Sequence, residues 1–473
     1  MTARRPSSLL AVRIFLVVLA ALLLGYMFLG RGFAHLGVPP LYVGEVVLAI
    51  GIIATAISAL RTGIPAPTRI LWILGAFLLL GVLRTVPYIG EYGVDALRDA
   101  VLWGYGLFAV MVYLVADRSV VRDGMRLYGW VVPVFAIWLP ICWFLFGIVS
   151  SSIDPTRPGE VIPLIFFKSG DMAVHIAGSV AFLVFGSAVG FISRAFFVRM
   201  LVAVPLAWTA LIGFATNRGS LVALACAVAV AFLLRRHWRT WSPLFAGGIL
   251  GIAIFMLPAV VPGAPGEGAA TPRPSASAQA SPEPSRRPTP ANVPPPPEGG
   301  RPRTVGQVLE NFVSIFVPTG DDNLSGTRAF RLAWWGEIVD YTAFGPYFWT
   351  GKGFGINLAT ADGFQPTADH SLRAPHNSHM SVLARMGVPG FALWIALQAA
   401  FAITLLRATL AHRRAGDTLL AAAGAWILVY WVAIMVNTSF DPYIEGPQGG
   451  IWFWTLIGLG MVVARLRPSQ YSA

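Results

Sequence analysis

The chain has 473 residues, of which 56% are hydrophobic and only 12% charged, with a formal net charge of +12. Soluble domains carry about 25% charged residues. This composition excludes a soluble globular domain, and the positions of the cations follow membrane topology rather than a nucleic-acid-binding face.

Hydrophobic runs long enough to cross a bilayer recur along the length. They predict twelve helices, at 13–30, 41–60, 70–87, 98–116, 127–149, 172–193, 199–216, 218–235, 242–261, 379–406, 417–438 and 449–466. Lipid leaves an exposed backbone no hydrogen-bond partner, so such runs are helices, and the alternating strands of a barrel are not visible. The first run has no small-residue cleavage site before the next span and reads as an uncleaved helix. With the N-terminus inside, Arg4–Arg5, Arg61, Arg118, Arg122, Arg126, Arg235–Arg236, Arg413–Arg414 and Arg465 face the cytoplasm. The outer loops and helix ends hold Arg31, Arg84, Arg98, Arg157, Lys168 and Arg218. This asymmetry predicts both termini inside. Cys142 and Cys226 fall in helices and read as small apolar packing residues, with no disulfide framework and no metal-binding CxxC.

The chain divides into 1–261, carrying helices one to nine; a Pro-rich insert at 262–303; a folded outer loop at 304–378; and 379–473, carrying helices ten to twelve. The insert, with its Pro294–Pro297 run, cannot bury a core. Beyond it, Val305–Val317 reads as an amphipathic helix. A dense set of aromatics from Phe330 to Trp349 and the glycines Gly351, Gly353 and Gly355 predict a lid on the outer membrane surface. Asp321–Asp322 reads as a solvated turn with no metal spacing around it. No internal repeat of the kind that builds transporters is visible.

Ionisable groups at membrane depth are functional candidates by default. Glu45, Arg84, Arg98, Lys168, Asp171, His175 and Arg218 all fall near the outer ends of helices. The plain alternative is snorkelling to headgroups. Arg218 stands out, because Thr216-Asn217-Arg218-Gly219-Ser220 leaves it on a short Gly-bounded turn. An outer cavity with arginines, a histidine and few acids suits cleavage of a sugar–pyrophosphate bond. The leaving group is already a stable anion; it needs cations to hold it, and the acceptor hydroxyl needs a base.

Three local patterns carry a resemblance. The first is the Arg218 turn. The second is Gly326-Thr327-Arg328-Ala329-Phe330-Arg331 with Trp335, followed by Gly351-Lys352-Gly353-Phe354-Gly355. The third is His376-Asn377, nine residues, then Gly387-x-x-Gly390. In this order and at these topological places, the chain resembles the O-antigen ligase and O-antigen polymerase superfamily of membrane enzymes. The resemblance covers most of the chain. It implies an all-α, polytopic, GT-C-like protein of about twelve transmembrane helices, with a large extracytoplasmic loop between helices nine and ten.

The resemblance also implies an activity: metal-independent, inverting transfer of a glycan from an undecaprenyl-pyrophosphate carrier to a glycan or lipid acceptor hydroxyl. The active site would face outward from the bacterial cytoplasmic membrane. No cofactor is expected, and membrane lipid, a chain-length regulator or export components are the further partners. His376 would activate the acceptor. Arg218 and Arg331 would hold the pyrophosphate, with Arg328 as the competitor to Arg331. Asn377 either orients the histidine or caps the next helix. His379 lies one turn on, and Asp369 and His370 belong to a flexible segment. Arg84 and Arg98 would support the cavity. Gly387 and Gly390 would let a neighbouring helix approach. A lipid-linked glycan flippase would need polar residues through the full membrane depth, and a non-catalytic scaffold of an export complex would not need His376. Peptidoglycan polymerases of related architecture rely on an acidic residue where this chain offers the histidine.

Overall fold

The computed structural model describes residues 7, 9–38, 41–145, 150–153, 161–257, 322–366 and 370–467. The Pro-rich stretch 262–303, Val305–Val317, Arg4, Arg5, Arg157, Asp321 and Asp369 lie outside these residues.

Within them the chain is nearly all helix. In order come α1 (Leu10–Leu29), α2 (Val43–Thr62), α3 (Arg69–Thr85), α4 (Val94–Gly104), α5 (Gly106–Val115), α6 (Arg118–Leu145) and α7 (Ser169–Phe185). They are followed by α8 (Phe196–Thr216), α9 (Arg218–Leu234), α10 (Trp238–Phe255), α11 (Asp322–Ala343), α12 (Ser378–Arg414), α13 (Thr418–Thr438) and α14 (Pro447–Arg465). Two small antiparallel hairpins pair Gly37–Val38 with Leu41–Tyr42 and Ser150–Ile153 with Val161–Pro163.

Among the described residues, helix runs through most of each stretch that hydropathy marked out. By length and composition, nine helices among the described residues can cross a membrane, or ten if α4 and α5, bent by 44°, form one broken span. Helix α9 has only 17 residues, about 26 Å at 1.5 Å per residue, which falls short of a hydrocarbon core of about 30 Å. The spans are not equivalent. Of the most apolar windows, 83% is buried in α7 and α14 and 67% in α13, against 28% in α2 and α3. The first three therefore form the centre of the bundle, and α2 and α3 present most of their side chains to lipid. Helix α13 packs on α7, α9 and α12, and α12 also packs on α3.

The helix expected at 379–406 is two helices. Gly387 has φ 67° and ψ −171°, a conformation nearly confined to glycine. Residues 15 apart on a straight helix are about 22 Å apart, yet the Trp394 indole N–H donates to His379 Nδ1 at 3.0 Å. The Ser378–Met386 segment therefore folds back across one end of the bundle, and the remainder from Val388 spans.

The backbone bonds lost at the bend are replaced from outside. Val388 donates to Phe348 O (2.8 Å) instead of to Ala384 O, and Pro389 has no N–H for Arg385 O. Those two carbonyls accept from Lys352 N (2.7 Å) and Gly353 N (3.0 Å). A Cβ on Gly387 would lie 2.4 Å from Phe348 O. Gly387 thus admits the Phe348–Gly353 loop rather than the neighbouring helix expected there. At Gly390 the nearest atom to an added Cβ belongs to Met386 of the same helix, and Leu80 of α3 is 3.5 Å away.

The described part of the expected lid has its own small core. Trp334 and Ile338 of α11 pack with Leu358, Leu383 and Ala384, and Trp334 stacks on Phe364 with centroids 5.5 Å apart. The Trp334 indole donates to Asp362 (2.7 Å), which also pairs with Lys352. The glycine turn is fastened below by buried Arg385. It donates to Gly353 O and Ile356 O at 3.2 Å each and pairs with Asp99 at 2.9 Å. Asp99 also accepts from Arg373 and Gly355 N, each at 3.1 Å.

Candidate functional site

His376 sits in the turn that enters the crosswise segment of α12. It is half-buried and adopts φ 53°, in the left-handed region that costs a non-glycine residue about 1 kcal/mol or more. Bonds on both sides hold it there. The Trp335 indole donates to Pro375 O at 2.9 Å, and Asn377 Oδ1 accepts from His379 N (3.0 Å) and Met380 N (3.3 Å). Asn377 is thus the N-cap of α12, the capping alternative of the two that the sequence left open.

One turn before Trp335, Arg331 reaches the same place from α11. It is half-buried and donates to Phe440 O at 3.2 Å. Next to Phe440, Asp441 pairs with Arg31 at 2.9 Å and with Lys168 at 3.5 Å. Arg31 also forks onto Asp171, at 2.7 and 3.2 Å. Backbone pairing aims Arg31 inward, since Arg31 N donates to Phe166 O (2.7 Å) and Phe166 N to Leu29 O (3.0 Å). Burial, followed by Arg331 and Lys168, pushes the His376 imidazole down to about 4, while Asp441 pulls it the other way. Burial opposes the charge of Asp441, but Arg31, Lys168 and His376 outweigh it and hold the carboxyl below its ordinary range.

Arg218 opens α9, which Asn217 caps through a 2.8 Å bond from Gly219 N. Gly219 lies against Phe440, where a Cβ would be 2.8 Å from the Phe440 Cβ. The Arg218 turn, Arg331 and Asp441 therefore meet along the short Phe440–Asp441 segment, with His376 in the field of its charges. The result is a half-buried neutral imidazole beside Arg331 and a cluster in which Arg31 and Lys168 hold the carboxylates of Asp171 and Asp441. Such a set can hold a dianion and accept a proton.

Other expected residues lie elsewhere. Arg84 bonds Tyr88 Oη (2.9 Å) and Gly351 O (3.4 Å), bracing the glycine turn. Arg98 pairs with Asp95 (3.4 Å) and Asp99 (3.8 Å) on its own helix. Arg328 is exposed near the start of α11, whereas Arg331 is turned inward. His379 uses both ring nitrogens for packing, taking a bond from Trp394 and contacting Met435 O at 3.3 Å, so it does not share the His376 face. His175 is buried, with Nδ1 2.5 Å from Tyr430 Oη and Nε2 3.5 Å from Tyr443 Oη. Glu45 accepts from Tyr42 N (3.1 Å) and Tyr105 Oη (2.6 Å) at the start of α2. His370 lies 3.0 Å from Thr360 Oγ1 in an exposed loop.

Sequence reasoning missed Asp441 and passed over Arg31 as a loop cation. Both stand at the ends of apolar helices, where the same rule singled out Lys168 and Asp171. It also missed the Arg385–Asp99–Arg373 group beneath the glycine turn.

A family model described as O-antigen ligase matches residues 201–395, less than half of the chain. No curated protein matches the chain. The matched stretch contains Arg218, Arg328, Arg331, His376, Asn377, Gly387 and Gly390, while Arg31, Lys168, Asp171 and Asp441 fall outside it. Over the stretch that carries His376 and Arg331, the chain is thus similar to the O-antigen ligase family, in line with the O-antigen ligase and polymerase superfamily that its motifs resemble.

Proposed function

We propose that this protein is a GT-C-like membrane glycosyltransferase of twelve helices, with both termini in the bacterial cytoplasm and its active site on the outer face. It moves a glycan from a polyprenyl-pyrophosphate carrier to an acceptor hydroxyl. His376 takes the acceptor proton as the hydroxyl oxygen attacks the anomeric carbon from the face opposite the leaving group. The sugar–phosphate bond breaks, its electron pair leaves with the pyrophosphate on the carrier, and the linkage inverts. Arg331 and Arg218 carry the charge of that leaving group. Asp441, fixed by Arg31 and Lys168, faces the imidazolium that forms.

The observation that carries this reading is a half-buried His376 in the field of Arg331, whose helix also grips the His376 turn through Trp335. A neutral imidazole is the form able to accept a proton.

The test is surface polysaccharide from a deletion strain complemented with wild type or His376→Ala at matched membrane expression. Wild type restores long polymer and the variant does not. Accumulated single lipid-linked repeats then mark a polymerase, and long untransferred lipid-linked chains mark a ligase. Full complementation by the variant refutes the enzymatic reading.

A further inference from the structure

At the opposite end of the bundle from His376, α9 and α12 finish side by side. Arg413 in the last turn of α12 donates to Leu234 O at 3.1 Å, and Arg235 donates to Thr240 Oγ1 at 3.1 Å. Close by, Arg194 donates to Ser187 O (3.0 Å) and Ala188 O (2.9 Å) after α7. The bonds of Arg413 and Arg194 to carbonyls are what cations at helix C-termini ordinarily make. They do not account for what the side chains enclose, a cavity of about 430 Å³ with Arg235, Arg236, His237 and Arg413 on its wall. None of the described residues lining it is an Asp or Glu. Burial, followed by Arg413 and Arg194, holds the Arg235 guanidinium below its ordinary range. Like charges have been gathered along a wall whose described residues include no Asp or Glu, and Asp417, between the lining residues Gly416 and Thr418, is taken by Arg118 at 2.6 Å. Each guanidinium has five N–H donors, of which Arg413 gives one to Leu234 O and Arg235 one to the Thr240 hydroxyl.

Apart from Thr409 and Thr418, the rest of the wall is apolar, with Phe185 and Leu410 among its members. Beside it, Phe232 and Leu233 on the last turn of α9 are exposed, as lipid-facing side chains are. A free ion has no use for such a floor, whereas a phosphate carrying acyl chains does.

We propose that this cavity is a binding site for the phosphate headgroup of an acidic membrane phospholipid, with an acyl chain leaving along the Phe185–Leu410 side. The site stands independently of the reaction proposed for His376.

The test is native mass spectrometry of the full chain in mild detergent with added phosphatidylglycerol or phosphatidylcholine. Wild type retains phosphatidylglycerol in preference to phosphatidylcholine. The Arg235→Gln/Arg413→Gln variant loses on the order of 25-fold in phosphatidylglycerol affinity, about fivefold per cation near a membrane surface. An Arg122→Gln/Arg126→Gln control removes the same charge elsewhere and keeps the preference. Equal retention by the Arg235/Arg413 variant, or equal loss by the control, overturns the proposal. Thermal stabilisation of wild type by sodium phosphate matching that by phosphatidylglycerol overturns the lipid assignment. Should the double variant fail to fold, Arg236→Gln, at an exposed position, carries the test with an expected loss of about fivefold.

Discussion

Replacing Gly387 by alanine tests whether the bend in α12 supports the site. The φ 67°, ψ −171° conformation costs an alanine about 1–3 kcal/mol. The new methyl carbon would also stand 2.4 Å from Phe348 O, so the Phe348 carbonyl must move and release Val388 N. Leaving that pair unmade costs about 1–3 kcal/mol more. The total is about 2–6 kcal/mol, and about 3 kcal/mol is already a rise on the order of 100-fold in local opening at 1.36 kcal/mol per decade. Hydrogen exchange read by mass spectrometry measures it directly. The amides of Lys352, Gly353 and Val388 exchange on the order of 100-fold faster in Gly387→Ala, while α7 and α14 stay protected. Glycosyl transfer falls with it, because the helix that the His376 turn enters is no longer braced. Gly336→Ala is the control: it lies in α11 with nothing within 4 Å of an added Cβ, and it is expected to be neutral or slightly stabilising. Exchange at those amides within twofold of wild type refutes the brace.

Other outcomes follow from the same geometry. Arg331→Gln lowers transfer from a lipid-linked donor by about 10²–10³-fold, the worth of one charge-stabilising group, whereas Arg328→Gln at an exposed position stays within about threefold of wild type; equal losses refute the assignment. The acid limb of kcat/KM lies near 4, where His376 gains its proton in the free enzyme, and activity is lost below it. Burial is the larger cause of the depressed value, and the repulsion from Arg331 and Lys168 adds to it. Binding a dianion beside them cancels that repulsion, so the acid limb of kcat lies higher; a limb that does not move refutes the placement. Asn377→Ala costs about 1 kcal/mol of stability and lowers transfer more than thermal stability alone accounts for, and Asn377→Asp restores both.

The helices were legible because lipid imposes a long apolar run on each, and that signal is local. His376 and Arg331 were legible for the same reason, since each sits in a short pattern. Arg31 and Asp441 were not, because they meet across 410 positions of sequence and neither has a local signature. Arg385 was hidden in an apolar helix, where only its pairing with Asp99 gives it meaning. The Gly387-x-x-Gly390 spacing announced a close approach but could not say to what. A glycine that admits a helix and one that bends for a loop are identical on paper; Pro389 and the φ of Gly387 decide for the loop.

The bend also fixes a height. Trp394 and Met435 pin the segment that follows His376 to the spanning helices, so its level relative to the bilayer is set by the protein. A diphosphate on a polyprenyl anchor is likewise held at headgroup depth, whatever hangs from it. If the proposed reaction is that of a polymerase, the bond to be broken returns to the same level beside His376 after every addition, and growth changes only what trails away from the site. The rate of each transfer is then indifferent to polymer length, and the distribution of product lengths is set by competition between another transfer and release.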